Sequence, residues 1–235
     1  MNVSHSHPLP RAVLFDHDGT LVDTEPIWAE GKTRLAAQYG ATWTEQDTLD
    51  CLGQPMAMTT RRLQELGVDL PETELHAALG TIIRELVTDE PVTFLPGIAA
   101  LLEELDQAGV PAAIVTNATV EIASRTAQQG PKGLFRALIG NESVTSPKPD
   151  PQPYLLAAEQ LGVDPTECVA LEDSPSGVTS ATRAGAKVVV VPGMRPVEAE
   201  LGVAHIPHDQ LSLARLQELF TEDSELVTAA SRTDS

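Results

Sequence analysis

Two cysteines in 235 residues, Cys51 and Cys168, cannot supply a disulfide framework, and their separation matches no metal-binding spacing. Both read as reduced packing residues. No apolar run approaches the length that crosses a bilayer, and Met1–Pro10 lacks the apolar core of a secretory signal, so a cytoplasmic protein is expected. The Ser4-His5-Ser6-His7 stretch in that segment reads as an unpacked leader rather than a metal site. Positive charge is scarce as well: 15 Lys and Arg face 34 Asp and Glu, a formal net charge of −19. That field argues against nucleic acid and against anionic membranes as partners. A small anionic ligand can be held only where local groups overcome the repulsion: a metal ion, a lysine, or aimed backbone amides. What the chain does have is apolar content, 42% of its residues, enough for one large domain or a domain carrying a smaller insert.

The apolar residues fall into two patterns. From Ile27 to Val87 they recur at helical spacing, over Ile27–Tyr39, Glu45–Leu52, Met56–Leu66 and Glu72–Val87, with Gly40, Gly53, Gly67 and Pro71 as punctuation. No convincing strand lies there, and an all-helical unit over 24–88 is expected. Pro26 suits the first turn of its first helix, with Asp23 or Thr24 near the cap. Elsewhere short unbroken Val/Ile/Leu/Ala runs alternate with helices. The expected strands are Ala12–Phe15, Ala112–Val115, Ala137–Ile139, Cys168–Leu171, Lys187–Val191 and a weak one near Ala204–Ile206. Helices fill the intervals from Pro96 to Ala108, Val120 to Gln129, Pro153 to Leu161 and Gly177 to Ala184, and one over Leu211–Phe220 ends the domain. Such strands mean a parallel sheet covered on both faces, with ligands at the carboxyl ends of its strands. The fold class is therefore α/β, a Rossmann-like core over 1–23 and 89–221 carrying an inserted helical cap. Residues 222–235 are expected to be disordered.

Three strand ends carry polar residues suited to one site. The first strand runs into Asp16-His17-Asp18-Gly19-Thr20. Period-two alternation sends Asp16 and Asp18 to one side and His17 to the other, so His17 reads as a packed or hydrogen-bonded core residue. Two carboxylates sharing one space call for a metal, a shared proton, or both. Gly19 permits a sharp turn, and Thr20 offers a hydroxyl and an amide at the mouth of the site. The second strand end carries Thr116-Asn117 and the fourth Glu172-Asp173-Ser174, where Asp173 or Ser174 can also cap the next helix. Between them lies Ser146-Pro147-Lys148-Pro149-Asp150-Pro151, whose prolines stiffen the loop that presents the lysine.

Asp-x-Asp-Gly-Thr after an apolar strand, Thr-Asn, Lys-Pro-x-Pro and Glu-Asp-Ser-x-x-Gly, in that order, resemble the four motifs of the haloacid dehalogenase superfamily. The resemblance spans roughly residues 11–191. It implies Asp16 as nucleophile and Asp18 as general acid and base, with Lys148, Thr116 and Asn117 on the phosphoryl oxygens, joined by backbone amides at His17 and Gly19. It also implies magnesium held by Asp16, the Asp18 carbonyl and Asp173, with Glu172 as a further or more distant ligand. The helices over 24–88 occupy the slot of that family's cap, where Glu25, Trp28 and Gln54 are the candidate leaving-group contacts. His17 departs from the pattern, since relatives more often carry an apolar or aromatic residue there.

Within the family, dehalogenases lack the second Asp, and a phosphonatase would present a cap lysine, of which Lys32 is the only example. A beta-phosphoglucomutase-type mutase shares all four motifs but carries an Arg shortly after a cap Gly. Here Gly53 is followed by Gln54-Pro55-Met56, and no Arg comes before Arg61 and Arg62. The segment Asp23–Trp28 is instead similar to small-sugar and polyol phosphate phosphatases. The expectation is a magnesium-dependent phosphatase, monomeric or weakly dimeric, acting on a small phosphorylated metabolite. The rivals are the mutase and a non-catalytic phosphate-binding regulator.

Overall fold

The structure, a computed structural model, describes residues 8–51, 56–89, 92–193, 197 and 203–220. The expected leader, Gln54 and the expected tail lie outside these residues. The chain divides into two compact units, one of residues 1–21 and 94–235 and the other of residues 22–93.

The first unit is built on a six-stranded parallel sheet. Its strands are β1 (Ala12–Phe15), β4 (Ala112–Val115), β5 (Phe135–Ile139), β6 (Cys168–Glu172), β7 (Lys187–Val190) and β8 (Ala204–His205), in spatial order β5-β4-β1-β6-β7-β8. Counted along the chain this is 3-2-1-4-5-6, the doubly wound order whose switch point lies between its first and fourth strands, here β1 and β6. The residues of β1, β4 and β6 are buried throughout, as strands covered on both faces must be. The helices of this unit are α5 (Ile98–Ala108), α6 (Val120–Ala127), α7 (Gln152–Leu161), α8 (Pro175–Ala184) and α9 (Leu213–Gln217). Three of them end where expected, on Gly109, Gly162 and Gly185 in the left-handed conformation, each closing its last turn with backbone hydrogen bonds. Tyr154, Ala157 and Ala158 are the buried face of α7, and Tyr154 and Ala157 pack with Leu14, Val115, Ile139 and Ala170 beneath the sheet's carboxyl edge. Burial pushes the Cys168 thiol up to about 12, and both cysteines are buried and unbridged.

Register decides where the polar residues arrive. Phe15 is level with Ile114 on one side and Leu171 on the other. The next residue along each chain is therefore Asp16, Val115 or Glu172, and the three strands end within one residue of each other.

The second unit is helical: α1 (Glu25–Gln38), α2 (Glu45–Cys51), α3 (Met56–Glu65) and α4 (Glu72–Asp89). α1 packs on α4, closely at Gly31, where a methyl group would meet Ile83 and Leu79. Lys32 is buried beside the Trp43 ring, its Nζ 6.0 Å from the centroid. At the N-terminus of α1, Thr24 holds the cap position without a side-chain bond to the helix's first amides, and Asp23 accepts from the Glu25 amide at 3.2 Å. Sequence reading left out one feature. Val22–Asp23 (β2) and Thr93–Phe94 (β3) pair as a short two-stranded sheet. Two-residue strands are too short to carry a periodicity, and both lie outside 24–88, the span expected to hold no strand and holding none among the described residues. The final helix is also shorter than expected, α9 passing into a 3-10 turn over Glu218–Phe220.

Candidate active site

The carboxyl ends of β1, β4 and β6 bring three carboxylates and one ammonium into a buried cluster. Lys148 Nζ donates to Asp16 Oδ1 at 2.6 Å, to Glu172 Oε1 at 2.6 Å and to the Val115 carbonyl at 2.8 Å. All three of its protons are used. Tyr154 donates its hydroxyl to the same Glu172 Oε1 at 2.6 Å, and the Ser174 hydroxyl reaches Oε2 at 3.1 Å. Ser174, not Asp173, caps α8, accepting from the Gly177 amide at 3.1 Å. Gly177 is required beside it, because a side chain there would run into the Glu172 carboxylate. Asp173 sits in a cradle of two glycines, Gly19, whose φ is 81°, and Gly193; a methyl group on either would collide with it.

Charge does not balance in this cluster. Oxygens of Asp16, Glu172 and Asp173 lie within 4.8 Å of one another, and Lys148 supplies one positive charge against three negative ones. Burial, then Glu172, raises Asp16 to about 7; burial, then Asp16, raises Asp173 to about 8. Burial works against the charge on Lys148, but Asp16 and Glu172 outweigh it and hold that amine above the usual lysine range. Burial, then Glu172, raises the Tyr154 phenol as well, so it remains a donor. An unbalanced set of hard oxygen donors fits a divalent cation such as magnesium. Glu172 is the most committed of the three, both oxygens accepting bonds. Asp16 has one oxygen beyond its bond to Lys148, and Asp173 accepts no hydrogen bond among the described residues.

The other expected residues fall as follows. Thr116 is buried at the end of β4 and its hydroxyl accepts from the Ala118 amide at 2.9 Å, while Asn117 is exposed. Thr20 is wholly buried and its hydroxyl has no partner among the described residues, so it does not stand at a mouth. The alternation expected over Asp16-His17-Asp18 also fails, because β1 ends at Phe15 and the three residues belong to a loop closed by the Leu21 amide on the His17 carbonyl. His17 does turn into the core, where its Nε2 meets the Thr126 hydroxyl at 2.7 Å. Its Nδ1, however, lies 3.4 Å from Asp18 Oδ2, so ring and carboxylate are neighbours. Burial lowers the imidazole, but Asp18 and Asp16 outweigh it and the net direction is upward. Glu25 and Trp28 are partly buried and share one face of α1 in the helical unit. Tyr154, Thr126 and Gly193 were not singled out from sequence. Only Gly193, following Pro192 at the end of β7, carries a turn signal.

Residues 13–191 match the family model described as haloacid dehalogenase-like hydrolase. A bifunctional riboflavin kinase/FMN phosphatase from Arabidopsis thaliana is 29% identical over 198 residues, 83% of this chain, which spans about half (52%) of that protein. Hexitol phosphatase A from Escherichia coli strain K12 is 34% identical over 182 residues, 77% of this chain and 82% of that one. Among solved structures, CbbY from Rhodobacter sphaeroides in complex with phosphate is 28% identical, with a TM-score of 0.69 over 89% of this chain and 96% of that one.

Proposed function

The chain belongs to the haloacid dehalogenase-like hydrolases, and from that premise we propose that it hydrolyses the monoester of a small polyhydroxylated metabolite through an aspartyl phosphate on Asp16, with magnesium as cofactor. The coarser statement, a phosphoric monoester hydrolase, follows from the family and its phosphatase relatives. The observation that carries the finer reading is the Lys148 bridge between Asp16 and Glu172 beside Asp173.

Asp16, oriented by Lys148, attacks phosphorus as the ester P–O bond breaks. Asp18 gives its proton to the departing alkoxide. Water then attacks the phosphorus of the aspartyl phosphate, Asp18 takes its proton, and the Asp16 carboxylate leaves. Lys148 and Thr116, with Asn117 and the amides at His17 and Gly19, hold the phosphoryl oxygens. Magnesium, held by Asp16, Asp173 and the Asp18 carbonyl, would neutralise phosphoryl charge. Glu172 fixes Lys148.

Hexitol phosphates and FMN both present a phosphate on a polyhydroxylated chain, and this supports a polyol or sugar phosphate here, with Glu25, Trp28 and Gln54 as proposed leaving-group contacts. A mutase needs a cap cation for a second phosphate. Arg62 is bonded to Asp47 at 2.7 Å and to Glu65 at 3.3 Å, which speaks against that role for it. Phosphate release from a panel of sugar, polyol and nucleotide monophosphates, with and without Mg²⁺, tests the proposal. The expected result is net hydrolysis of a sugar or polyol phosphate, abolished by EDTA and by Asp16→Asn. Interconversion of hexose 1- and 6-phosphate faster than phosphate release would overturn it.

A further inference from the structure

We infer that Gln152 is a positioning residue for Lys148: its side-chain oxygen clasps the base of the loop that carries the lysine and so fixes where the ammonium stands. This rests on the role given to Lys148 above. Lys148 enters the site from an irregular segment between β5 and α7 that belongs to no strand. Thr145, Pro147 and Pro149 are exposed, whereas the Lys148 side chain is 2% exposed. The loop thus lies on the surface and sends one long side chain inward. A lysine stem is flexible, so the place of its ammonium depends on how firmly the main chain behind it is held.

Gln152 is the first residue of α7. Its Oε1 accepts from the Thr145 amide at 3.0 Å, the Thr145 hydroxyl at 3.1 Å and the Ser146 amide at 2.8 Å. Two backbone N–H groups aim at that atom, so it is the oxygen and not the nitrogen of the side-chain amide. Thr145 and Ser146 make no other hydrogen bond among the described residues, and ahead of them Val144 packs against the core. The remaining bonds of the loop lie at Pro147 or beyond it. The Asp150 amide donates to the Pro147 carbonyl at 3.0 Å, Asp150 Oδ1 accepts from the Gln152 amide at 2.9 Å, and the Ser180 hydroxyl donates to the Asp150 carbonyl. Gln152 therefore joins the arm before Lys148 to the helix after it, closing residues 145–152 into a compact loop with the lysine near its middle.

Asp16 and Glu172 hold the ammonium in the resting site, but the bond to Asp16 has to be exchanged once that carboxylate attacks phosphorus. A clasp made of groups that do not react keeps Lys148 in place through the exchange, so its orientation is held by the fold and not by the reactants.

The experiment compares Gln152→Ala with Gln152→Glu, which keeps an oxygen at the same reach and suits the first turn of a helix. One readout is hydrolysis of 4-nitrophenyl phosphate with Mg²⁺. The other is reductive methylation of the metal-free protein followed lysine by lysine, with exposed Lys132 as internal reference and alkylation of the buried Cys168 thiol as a monitor of wider opening. In Gln152→Ala kcat is expected to fall about tenfold to a hundredfold, the scale of a small misplacement of a catalytic group. Lys148 is expected to be methylated about tenfold faster, as loss of three hydrogen bonds of modest net strength allows, with Cys168 unchanged. Gln152→Glu is expected to stay within about threefold of the parent in both readouts, since it keeps the acceptor. Unchanged kcat or unchanged labelling in Gln152→Ala, no rescue by Glu, or Cys168 opening in step with Lys148 would overturn the inference and leave the phosphatase reading intact. Should Lys148→Met keep the parent's activity, the role given to Lys148 fails and this inference falls with it.

Discussion

Lys148 is where chemistry and stability meet in one side chain. Its three protons go to Asp16, Glu172 and a carbonyl of β4, so it ties together the ends of three adjacent strands while holding Asp16, the proposed nucleophile. Lys148→Met keeps the length and removes the charge, leaving buried carboxylates unpaired. Removing one partner of a buried pair costs about 3–5 kcal/mol, and urea unfolding of the metal-free protein should show a loss of that order together with loss of phosphatase activity. A variant with unchanged urea midpoint would mean the bridge is not formed in solution. Lys148, Asp16, Glu172 and Asp173 were legible in the sequence because each stands at a strand end or in a proline-stiffened loop with a recognisable neighbourhood. Tyr154 and Thr126 were not. They are ordinary core residues of helices until the register of the sheet brings Glu172 and His17 to them, and nothing local announces a contact 18 or 109 residues away.

Secondary structure was readable to the extent that its signals are local. β4 and the glycine-capped ends of α5, α7 and α8 follow from unbroken apolar runs and left-handed glycines. The β2–β3 pair does not, since it depends on two segments far apart in the chain. In the helical unit, α2 shows how a short helix is held without much burial. Thr44 donates its amide and hydroxyl to Asp47 Oδ2 at 2.8 and 2.7 Å, and the Asp47 amide donates back to Thr44 Oγ1 at 3.2 Å. This reciprocal arrangement satisfies amides that the first turn would leave bare. The bonds from Thr44, then Arg62, hold the Asp47 carboxyl below the usual aspartate range. Its contribution is therefore present above the ordinary aspartate pKa and lost as pH falls through the lowered one. Thr44→Ala is expected to cost about 1 kcal/mol, as loss of a cap does, with the difference from the parent shrinking in acid. Thermal melts at neutral and strongly acidic pH would check both statements.

Across the whole molecule, the acidic balance and the crowded carboxylates act in the same direction. Asp16 and Asp173 titrate near 7 and near 8 in the folded, metal-free protein, against about 3.9 when unfolded. The folded state thus binds more protons than the unfolded one between those values, and its stability falls as pH rises through that window. Metal-free protein should melt at higher temperature at pH 6 than at pH 8, and saturating Mg²⁺ should raise the midpoint more at pH 8 while releasing protons. Calorimetry in two buffers of different ionisation enthalpy would detect the release; a metal-induced shift independent of pH would contradict the charge reading.

The β2–β3 pair has a consequence for ancestry. Because the strands that lead into and out of residues 24–92 are paired, the two ends of that segment lie close together, and joining them needs only a short loop. The helical segment can therefore be lengthened, shortened or exchanged for another without disturbing the order of strands that builds the catalytic cluster. The helical segment, where the proposed leaving-group contacts lie, is then free to diversify while the carboxylate cluster stays fixed.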